Sequence, residues 1–290
     1  MDIDISRFVL ATQVSGGRYG SIWKAHDPAN GRDVALKQLT LARPEQYPRI
    51  VAEAESAGRL RHPNIVNTYL PATDERTIWL VEEWIDGASL AVLHPPQAQL
   101  TESQRLGVLR GALEGLAYAH RNGVVHGSVS PRTILIEEDG TPKLVEFAAW
   151  PGHPDAAGIG AYASPEAFSG EDLSPASDVY SVGALLSEIV LDPVAAESTA
   201  TGGLADQQPV VDRAMATEPS ARYPDAQALL DGMDRAARRG LGPTWWTTEG
   251  LGVLSARLRA PPSLRAPQSL RRPGQRPGEP GPAVVPGSRP

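Results

Sequence analysis

The chain has 290 residues, of which 41% are hydrophobic, so it can bury a large core in one or two domains. It contains no cysteine, which excludes disulfides, thiolate metal sites and cysteine nucleophiles. The net charge of −7 is unevenly distributed, since residues 251–290 carry seven Arg and one Glu and the first 250 residues therefore carry −13. An acidic body of this kind argues against nucleic-acid binding.

No run of about 18 consecutive apolar residues occurs, as a membrane-spanning helix would require. The N-terminus, Met-Asp-Ile-Asp, lacks the basic start and the apolar stretch of a secretory signal. The sequence therefore predicts a cytoplasmic protein without a transmembrane segment.

The first part of the chain has the pattern of a small β-rich unit. Apolar and polar residues alternate around glycine-rich turns over residues 8–39, which predicts an antiparallel meander of strands. A helix is predicted at 44–60, and further strands at 65–70 and 77–83. These elements predict a small lobe, residues 1–85, made of strands with one helix.

The next part of the chain, residues 86–250, is predicted to be a mainly helical large lobe. Its apolar residues recur at helical spacing, with only short β-like runs between them. Helices are predicted at 102–122, 174–191 and 225–238, and short strands at 134–137 and 142–145.

The last forty residues have a different composition. Residues 251–290 contain nine Pro and five Gly, which predicts a disordered tail. Its arginines, such as Arg271 and Arg276, either keep the tail solvated or contact acidic partners. Just before it, Trp245 and Trp246 either pack on the large lobe or form a docking patch for a partner.

The small lobe contains motifs suited to binding a phosphate. Gly17 and Gly20 lie at a strand-turn-strand junction, where backbone N–H groups can approach a phosphate. Lys37, one of three lysines in the chain, lies on an apolar strand within the run Val-Ala-Leu-Lys. Glu53 lies on the following predicted helix and would give this lysine an anionic partner.

Four further motifs occur in order along the large lobe. They are His126-Gly127-Ser128-Val129-Ser130-Pro131-Arg132-Thr133, Glu146-Phe147-Ala148, Ser164-Pro165-Glu166 and Asp178-Val179-Tyr180-Ser181-Val182-Gly183. With the glycine loop and the lysine strand, they make residues 8–233 resemble a eukaryotic-type (bacterial Hanks-type) Ser/Thr protein kinase. The resemblance implies an α+β, bilobal protein-kinase-like fold, with a β-rich lobe carrying one helix and a mainly helical lobe.

The resemblance also implies a cleft for a nucleotide. The cleft would consist of the glycine loop, an apolar slot for adenine, a hinge, and a Lys–Glu pair near the phosphates. The residues concerned are Gly17, Gly20, Ile22, Ala35, Lys37, Glu53, Glu83, Ile85 and Leu135. Glu82, at the position that gates the back of the slot, would add repulsion if it points inward. Whether ATP binds therefore stays open at this stage.

The residues that transfer the phosphoryl group in the resembling family are replaced. Ser128 stands for the catalytic Asp, Ser130 for the nearby Lys, and Thr133 for the metal-binding Asn. A serine hydroxyl cannot act as a carboxylate base, so no catalytic residue is expected to be intact. Glu146 keeps the charge of the remaining metal-binding Asp and is the one candidate ligand for Mg²⁺ or Mn²⁺.

The framework residues of the family are kept. The resemblance implies a buried ion pair between Glu166 and Arg222, and Asp178 begins a long central helix. Losing the chemistry while keeping the framework favours a pseudokinase, a regulatory or scaffolding module in intracellular signalling that acts through protein partners.

Two alternatives stay open. The first is an active but atypical Ser/Thr protein kinase, in which Glu146 binds the metal and Asp155 or Glu137 replaces the missing base. The second is a passive protein-interaction module whose cleft binds nothing.

Overall fold

The structure of the chain is a computed structural model in which seven stretches of the sequence are described. These stretches are residues 5–17, 20–40, 47–73, 77–93, 100–147, 160–191 and 205–253. The predicted tail beyond residue 253, and Ala148 and Asp155, lie outside the described residues.

The small lobe contains a five-stranded antiparallel sheet in the order β1-β2-β3-β5-β4. Its elements are a 3₁₀ turn (Ile5–Arg7), β1 (Val9–Gly17), β2 (Gly20–Asp27), β3 (Arg32–Thr40), α1 (Tyr47–Ala57), β4 (Thr68–Thr73) and β5 (Thr77–Glu83). The predicted meander over 8–39 and the predicted strand at 77–83 are confirmed.

The two faces of this sheet have different side chains, because successive residues of a strand point to opposite faces. One face is a buried apolar cluster, formed by Phe8, Trp23, Ala25, Val34, Leu36, Trp79 and Val81. The register of β2, β3 and β5 therefore places Ile22, Ala35, Lys37 and Glu82 together on the opposite face. This second face carries most of the residues of the candidate site.

The large lobe is built on helices and a small three-stranded sheet, in the order β6-β7-β8. Its strands and helices are β6 (Gly87–Ser89), α2 (Leu90–Leu93), α3 (Glu102–Arg121), β7 (Ile134–Glu137), β8 (Pro142–Leu144), α4 (Pro165–Ser169), α5 (Pro175–Leu191), α6 (Gln208–Ala214) and α7 (Ala226–Leu241). Short 3₁₀ turns stand at Ala205–Gln207 and Pro219–Ala221. No helix in these stretches is both long and apolar enough to cross a membrane.

Helix α3 forms the centre of the large-lobe core. It begins at Glu102 because Thr101 and Gln104 form a capping box, in which Thr101 Oγ1 accepts from the Gln104 N–H at 3.2 Å and Gln104 Oε1 accepts from the Thr101 N–H at 2.9 Å. Its side chains at Leu106, Leu109, Leu113 and Leu116 are fully buried. The predicted helix at 102–122 is confirmed.

One strand begins later than predicted, and the reason is a contact between the lobes. The strand expected at 65–70 is observed as β4, which begins at Thr68. Ile65 instead forms a parallel bridge with Leu144 of β8, and the Val66 N–H donates to the Leu144 carbonyl at 2.9 Å. The backbone groups that would have extended β4 therefore attach the small lobe to the large one.

The expected ion pair between Glu166 and Arg222 is present and buried. The guanidinium binds the carboxylate at two points, with Nη1 2.7 Å from Oε1 and Nη2 2.9 Å from Oε2. Arg222 also donates to the carbonyls of Ala176, Ala216 and Thr217. This one side chain therefore connects α4, the start of α5 and the segment after α6.

The segment after α7, residues 242–253, packs on the large lobe. Trp245 is fully buried and donates to Asp234 Oδ1 at 2.8 Å, whereas Trp246 is 39% exposed with the Arg110 guanidinium over its ring. The packing interpretation of Trp245 is thus confirmed. Leu251 is also fully buried, so the expectation that the disordered tail begins at 251 is wrong for this residue, which belongs to the large-lobe core.

Replacing Arg222 by alanine would leave the Glu166 carboxylate buried without its counter-charge. We expect Arg222→Ala to lower the free energy of unfolding by about 3–5 kcal/mol, because breaking one side of a buried ion pair strands the other charge. Urea unfolding of wild type and variant measures the difference. Arg238→Ala is the matched control, since Arg238 pairs with Asp234 on the surface of α7. Equal losses in the two variants would contradict a structural role for the buried pair.

The same ion pair predicts how stability falls in acid. Burial alone would raise the pKa of Glu166, but the hydrogen bonds from Arg222 and Ser177 outweigh burial and lower the pKa to about 2. A carboxyl group with a lowered folded-state pKa stabilises the fold above its ordinary value of 4.5, and this stabilisation is lost as the pH falls towards 2.

We therefore expect Glu166→Gln to flatten the loss of stability between about pH 4.5 and pH 2. Urea unfolding at a series of pH values measures the slope for both proteins. An unchanged slope in the variant would show that Glu166 is not the carboxyl group that titrates in this range.

Candidate functional site

Lys37 and Glu82 form a buried ion pair at the back of the cleft between the lobes. Their strands are neighbours, and the register places Glu82 opposite Ala35 and Leu80 opposite Lys37. The ammonium Nζ lies 2.7 Å from Glu82 Oε2, and the two residues are 8% and 2% exposed. Burial alone would lower the pKa of Lys37, but the carboxylates of Glu82 and Glu146 outweigh it and raise the pKa. Lys37 is therefore charged and held by Glu82.

The ammonium of Lys37 is not fully used by its contact with Glu82. Its Nζ is buried and lies 2.7 Å from Glu82 Oε2. An ammonium has three N–H donors, and one carboxylate oxygen at this distance does not engage all of them. A ligand oxygen entering the cleft would compete with Glu82 for these donors.

The expectation that Glu53 holds Lys37 is wrong in this structure. Glu53 lies on α1 and is half-buried, whereas the salt bridge of Lys37 is made with Glu82. The reason is topological, because two residues on adjacent strands and on one face lie within side-chain reach of each other. Glu82 therefore points inward, as the sequence interpretation considered, and neutralises Lys37 while doing so.

An apolar cluster lies at the junction of the two lobes, where the slot for adenine is expected. Val66, Ile85 and Val145 are buried together, and Leu135 packs against them. Leu135 was predicted at the slot and Ile85 at the hinge, whereas Val66 and Val145 were missed. Val66 follows His62-Pro63-Asn64-Ile65 in the sequence, and Val145 precedes the Glu146-Phe147-Ala148 motif. Only the fold brings the two valines into contact.

The other predicted slot residues lie on the cleft face of the small-lobe sheet. Ile22 is directly opposite Lys37 on β2, and Ala35 is buried two residues before Lys37 on β3. Gly17 and Gly20 pair with each other at the end of the β1–β2 hairpin. Residues 18–19, at the tip of the predicted glycine loop, lie outside the described residues.

The side chain of Glu83 fixes the segment that connects the lobes. Its carboxylate accepts hydrogen bonds from Asn67 N at 3.1 Å, from Asn67 Nδ2 at 2.7 Å and from Lys143 Nζ at 2.6 Å. Burial alone would raise the pKa of Glu83, but the bonds from Lys143 and Asn67 outweigh it and lower the pKa. The carboxylate of Glu83 therefore binds Lys143 of β8 and Asn67, the residue just before β4.

The loop at 126–133 is held in place by the buried carboxylate of Asp178. Asp178 Oδ2 accepts from the His126 N–H at 2.8 Å and from His120 Nε2 at 2.9 Å, and Oδ1 accepts from the Gly127 N–H at 2.7 Å. Gly127 has a φ of 76°, and a Cβ there would lie 2.9 Å from Leu173 Cδ1. Glycine therefore suits this backbone, and a larger residue would be strained.

His126 connects this loop to the strand that precedes Glu146. Its Nε2 lies 3.0 Å from the Val145 carbonyl, and its Nδ1 accepts the Ser128 N–H at 3.3 Å. Burial lowers the pKa of His126, which agrees with a neutral ring that donates through Nε2. The ring also packs on Phe147, with centroids 4.5 Å apart. The loop and the Glu-Phe-Ala motif are therefore one connected unit.

The three replaced positions of the loop direct their hydroxyl groups inward. Thr133 Oγ1 accepts the Ser130 N–H at 3.0 Å and lies 3.2 Å from the carbonyls of Ser128 and Ser130. Ser128 Oγ lies 3.3 Å from His126 Nδ1, and the buried Ser130 Oγ has no hydrogen-bond partner among the described residues. All three side chains are buried. The loop thus provides neither a carboxylate nor an ammonium group to a ligand.

Glu146 has an unusual backbone conformation. It is the one non-glycine residue with positive φ in the described stretches, at 67°, a conformation that costs an L-residue about 1–2 kcal/mol. The negative charge of its carboxylate contributes to the raised pKa of Lys37. The fold therefore holds this residue at the end of the cleft at some cost in strain.

Among the described residues, the expected metal-binding positions hold one carboxylate, that of Glu146. Thr133 uses its hydroxyl within the loop, which leaves Glu146 as the one carboxylate at the expected ligand positions. Within the described stretches, no group of three or more His, Asp or Glu side chains is arranged to hold a metal. In phosphoryl-transfer sites Mg²⁺ is held by one or two carboxylates together with waters and substrate phosphates, so Glu146 would supply the one protein carboxylate at the expected positions.

The comparisons with known proteins agree with this architecture. Residues 8–233 match the family model for the protein kinase domain. A probable serine/threonine-protein kinase of Streptomyces coelicolor is 29% identical over 280 residues, which cover 81% of this chain and 42% of that protein. The serine/threonine-protein kinase PknL of Mycobacterium tuberculosis is 35% identical over 196 residues, which cover 64% of this chain and 49% of that protein. The chain thus matches less than half the length of these relatives.

The solved structure of the Mycobacterium tuberculosis PknI kinase domain has the same fold. It superposes with a TM-score of 0.67 at 22% identity, and the match covers 81% of this chain and 97% of that one. The expected bilobal α+β architecture is therefore confirmed. Because the family model spans most of the chain, this chain belongs to the protein kinase family.

Proposed function

We propose that this protein is a pseudokinase, a cytoplasmic regulatory or scaffolding module that acts through protein partners and does not transfer phosphate efficiently. The observation that carries the proposal is the loop at 126–133, whose hydroxyl groups at Ser128, Ser130 and Thr133 are buried and bonded within the protein or aimed away from solvent. Phosphoryl transfer needs a group that orients the acceptor and cations that neutralise the phosphates. This loop supplies no carboxylate to orient the acceptor, and Ser130 stands where the family has its lysine.

The pairing of Lys37 supports the same proposal. In an active site of this kind a lysine neutralises the charge of the nucleotide phosphates, but here the ammonium is in contact with Glu82 at 2.7 Å. A nucleotide would have to displace Glu82 and leave that carboxylate buried, which is costly. Lys37 is thus retained in the sequence, but Glu82 already compensates its charge.

The retained structural interactions of the large lobe support a role in binding a protein partner through a rigid surface. Asp178 fixes the loop backbone, and Arg222 with Glu166 fixes the large lobe beneath it. A rigid surface that presents fixed residues to a partner needs these interactions, whereas catalysis needs the groups that are missing. The retained framework therefore suits binding of a protein partner.

The alternative of an active kinase requires a replacement base. Glu137, one of the two candidates, lies on β7, and its carboxylate is 3.7 Å from Lys143 Nζ. This places it beside the β8 lysine, engaged in a salt bridge, rather than free to accept a proton from an acceptor hydroxyl. The other candidate, Asp155, lies outside the described residues. A passive module with an empty cleft is the remaining alternative, and ligand binding decides it.

We expect no measurable phosphotransfer from the wild-type protein with Mg²⁺ or Mn²⁺. Ser128→Asp alone should not restore activity, because a missing base accounts for about 10²–10⁴ in rate and the replaced groups at Ser130 and Thr133 add further losses. A radiolabelled-ATP assay with and without a generic acceptor measures both proteins.

Lys37→Met is the control for this assay, since it separates true activity from a contaminating kinase. Metal-dependent autophosphorylation of the wild type that disappears in Lys37→Met would contradict the proposal. Substantial turnover by Ser128→Asp would contradict the argument that the losses are cumulative.

A further inference from the structure

The segment after α7, residues 242–253, lies beyond the part of the chain that matches the kinase family model, which ends at residue 233. We call this segment the strap. Gly242, with a φ of 83°, lets the chain leave α7. The side chains of Trp245 and Leu251 are fully buried. The strap is therefore part of the folded large lobe, although the family match does not include it.

The first half of the strap lies against the start of α3. The Thr247 N–H donates to the Ser103 carbonyl at 3.1 Å, and Gln104 Nε2 donates to the Glu249 carbonyl at 2.8 Å. A Cβ on Gly107 would lie 2.3 Å from the Thr247 carbonyl oxygen, far inside the distance at which carbon and oxygen atoms pack. Glycine at this position therefore lets the strap backbone approach α3 closely.

The second half of the strap packs on the turn between β7 and β8. A Cβ on Gly252 would lie 1.9 Å from the Glu138 carbonyl oxygen, and a Cβ on Gly140 would lie 2.8 Å from the Thr248 carbonyl oxygen. The strap and the β7–β8 turn are therefore in direct backbone contact, with no side chain between them at these points.

The β7–β8 turn also binds the connector between the lobes, residues 83–87. The Glu138 N–H donates to the Asp86 carbonyl at 3.1 Å, and Lys143 Nζ of β8 lies 2.6 Å from the Glu83 carboxylate. The carbonyl group of Glu138 thus faces the strap, while its N–H group binds the connector. A single residue of the turn separates the strap from the connector.

We infer that the strap is a conformational device that supports the connector between the lobes. While the strap is docked on α3, it holds the β7–β8 turn, and the turn holds the connector at Asp86. Coupling of this kind requires an element with two arrangements, which here are the docked and the displaced strap. A partner that pulls on the chain beyond residue 253 would loosen the connector through the strap. The inference does not depend on the proposed function.

Hydrogen–deuterium exchange of the full-length protein tests the inference. The Cβ of Gly107→Ala forces the strap away from α3, whereas a Cβ on Gly160, the matched control, meets no atom of the described residues within 4 Å. We expect Gly107→Ala to speed exchange in peptides of the connector and the β7–β8 turn at least about fivefold, because the lost support is comparable to one hydrogen bond. Gly160→Ala should exchange like the wild type.

The other outcomes of this experiment also decide the matter. Faster exchange in the strap with unchanged exchange in the connector would overturn the inference, because the two would then be uncoupled. Unchanged exchange in both would overturn it as well, because the strap would not be packed on Gly107. Trp245→Phe, which removes the hydrogen bond to Asp234 and keeps an aromatic ring, gives the same test if Gly107→Ala does not fold.

A second measurement uses the sign of a change in melting temperature. Alanine stabilises a helix interior relative to glycine, so a loss at Gly107 isolates the contact with the strap. We expect Gly107→Ala to lower the melting temperature of the full-length protein. In a Trp245→Ala background, where the strap has lost its buried anchor, the same change should raise the melting temperature. Equal losses in the two backgrounds would overturn the inference, because the cost at Gly107 would not come from a docked strap.

Discussion

The carboxylate of Asp178 is the point on which the large lobe depends. It is fully buried and accepts three N–H groups, two from the loop backbone at His126 and Gly127 and one from the side chain of His120 on α3. His120 in turn accepts the Ala226 N–H at the start of α7 at 3.2 Å. One side chain thus fixes the loop relative to α3, α5 and α7, and a buried charge satisfied by three donors is stable where an unsatisfied one would not be.

The cleft shows the opposite use of charge. The lysine and the glutamates that remain there compensate one another, with Lys37 against Glu82 and Lys143 against Glu83. The first pair joins two neighbouring strands of the small lobe and the second joins β5 to β8 of the large lobe, but neither pair leaves a net positive charge for a phosphate. In the large lobe, buried charges hold segments of the fold together. In the cleft, the charged side chains pair with each other, so their charges are compensated before any ligand binds. Both arrangements follow from the requirement that a buried charge has a partner.

The sequence predicted the parts of the structure that depend on local pattern or on a resemblance in motif order. The strand at 77–83 and the helix at 102–122 follow from periodicity, and the Glu166–Arg222 pair follows from the resemblance. The partner of Lys37 could not be found in this way, because periodicity assigns residues to a face but does not say which of two carboxylates lies nearer. The contact of residues 64–66 with β8 was missed for a similar reason, since pairing between distant segments depends on how the lobes dock.

The central claim is that Lys37, the lysine that the protein kinase family has at this position, is paired with Glu82 and does not contact nucleotide phosphates. A crystal structure of the wild-type protein grown with millimolar ATP and Mg²⁺ tests this claim most directly. The account predicts electron density in which Lys37 Nζ remains in contact with Glu82, without ordered phosphates beside it. Ordered phosphates contacted by Lys37, with Glu53 as the new partner of the ammonium and a metal ion on Glu146, would contradict it.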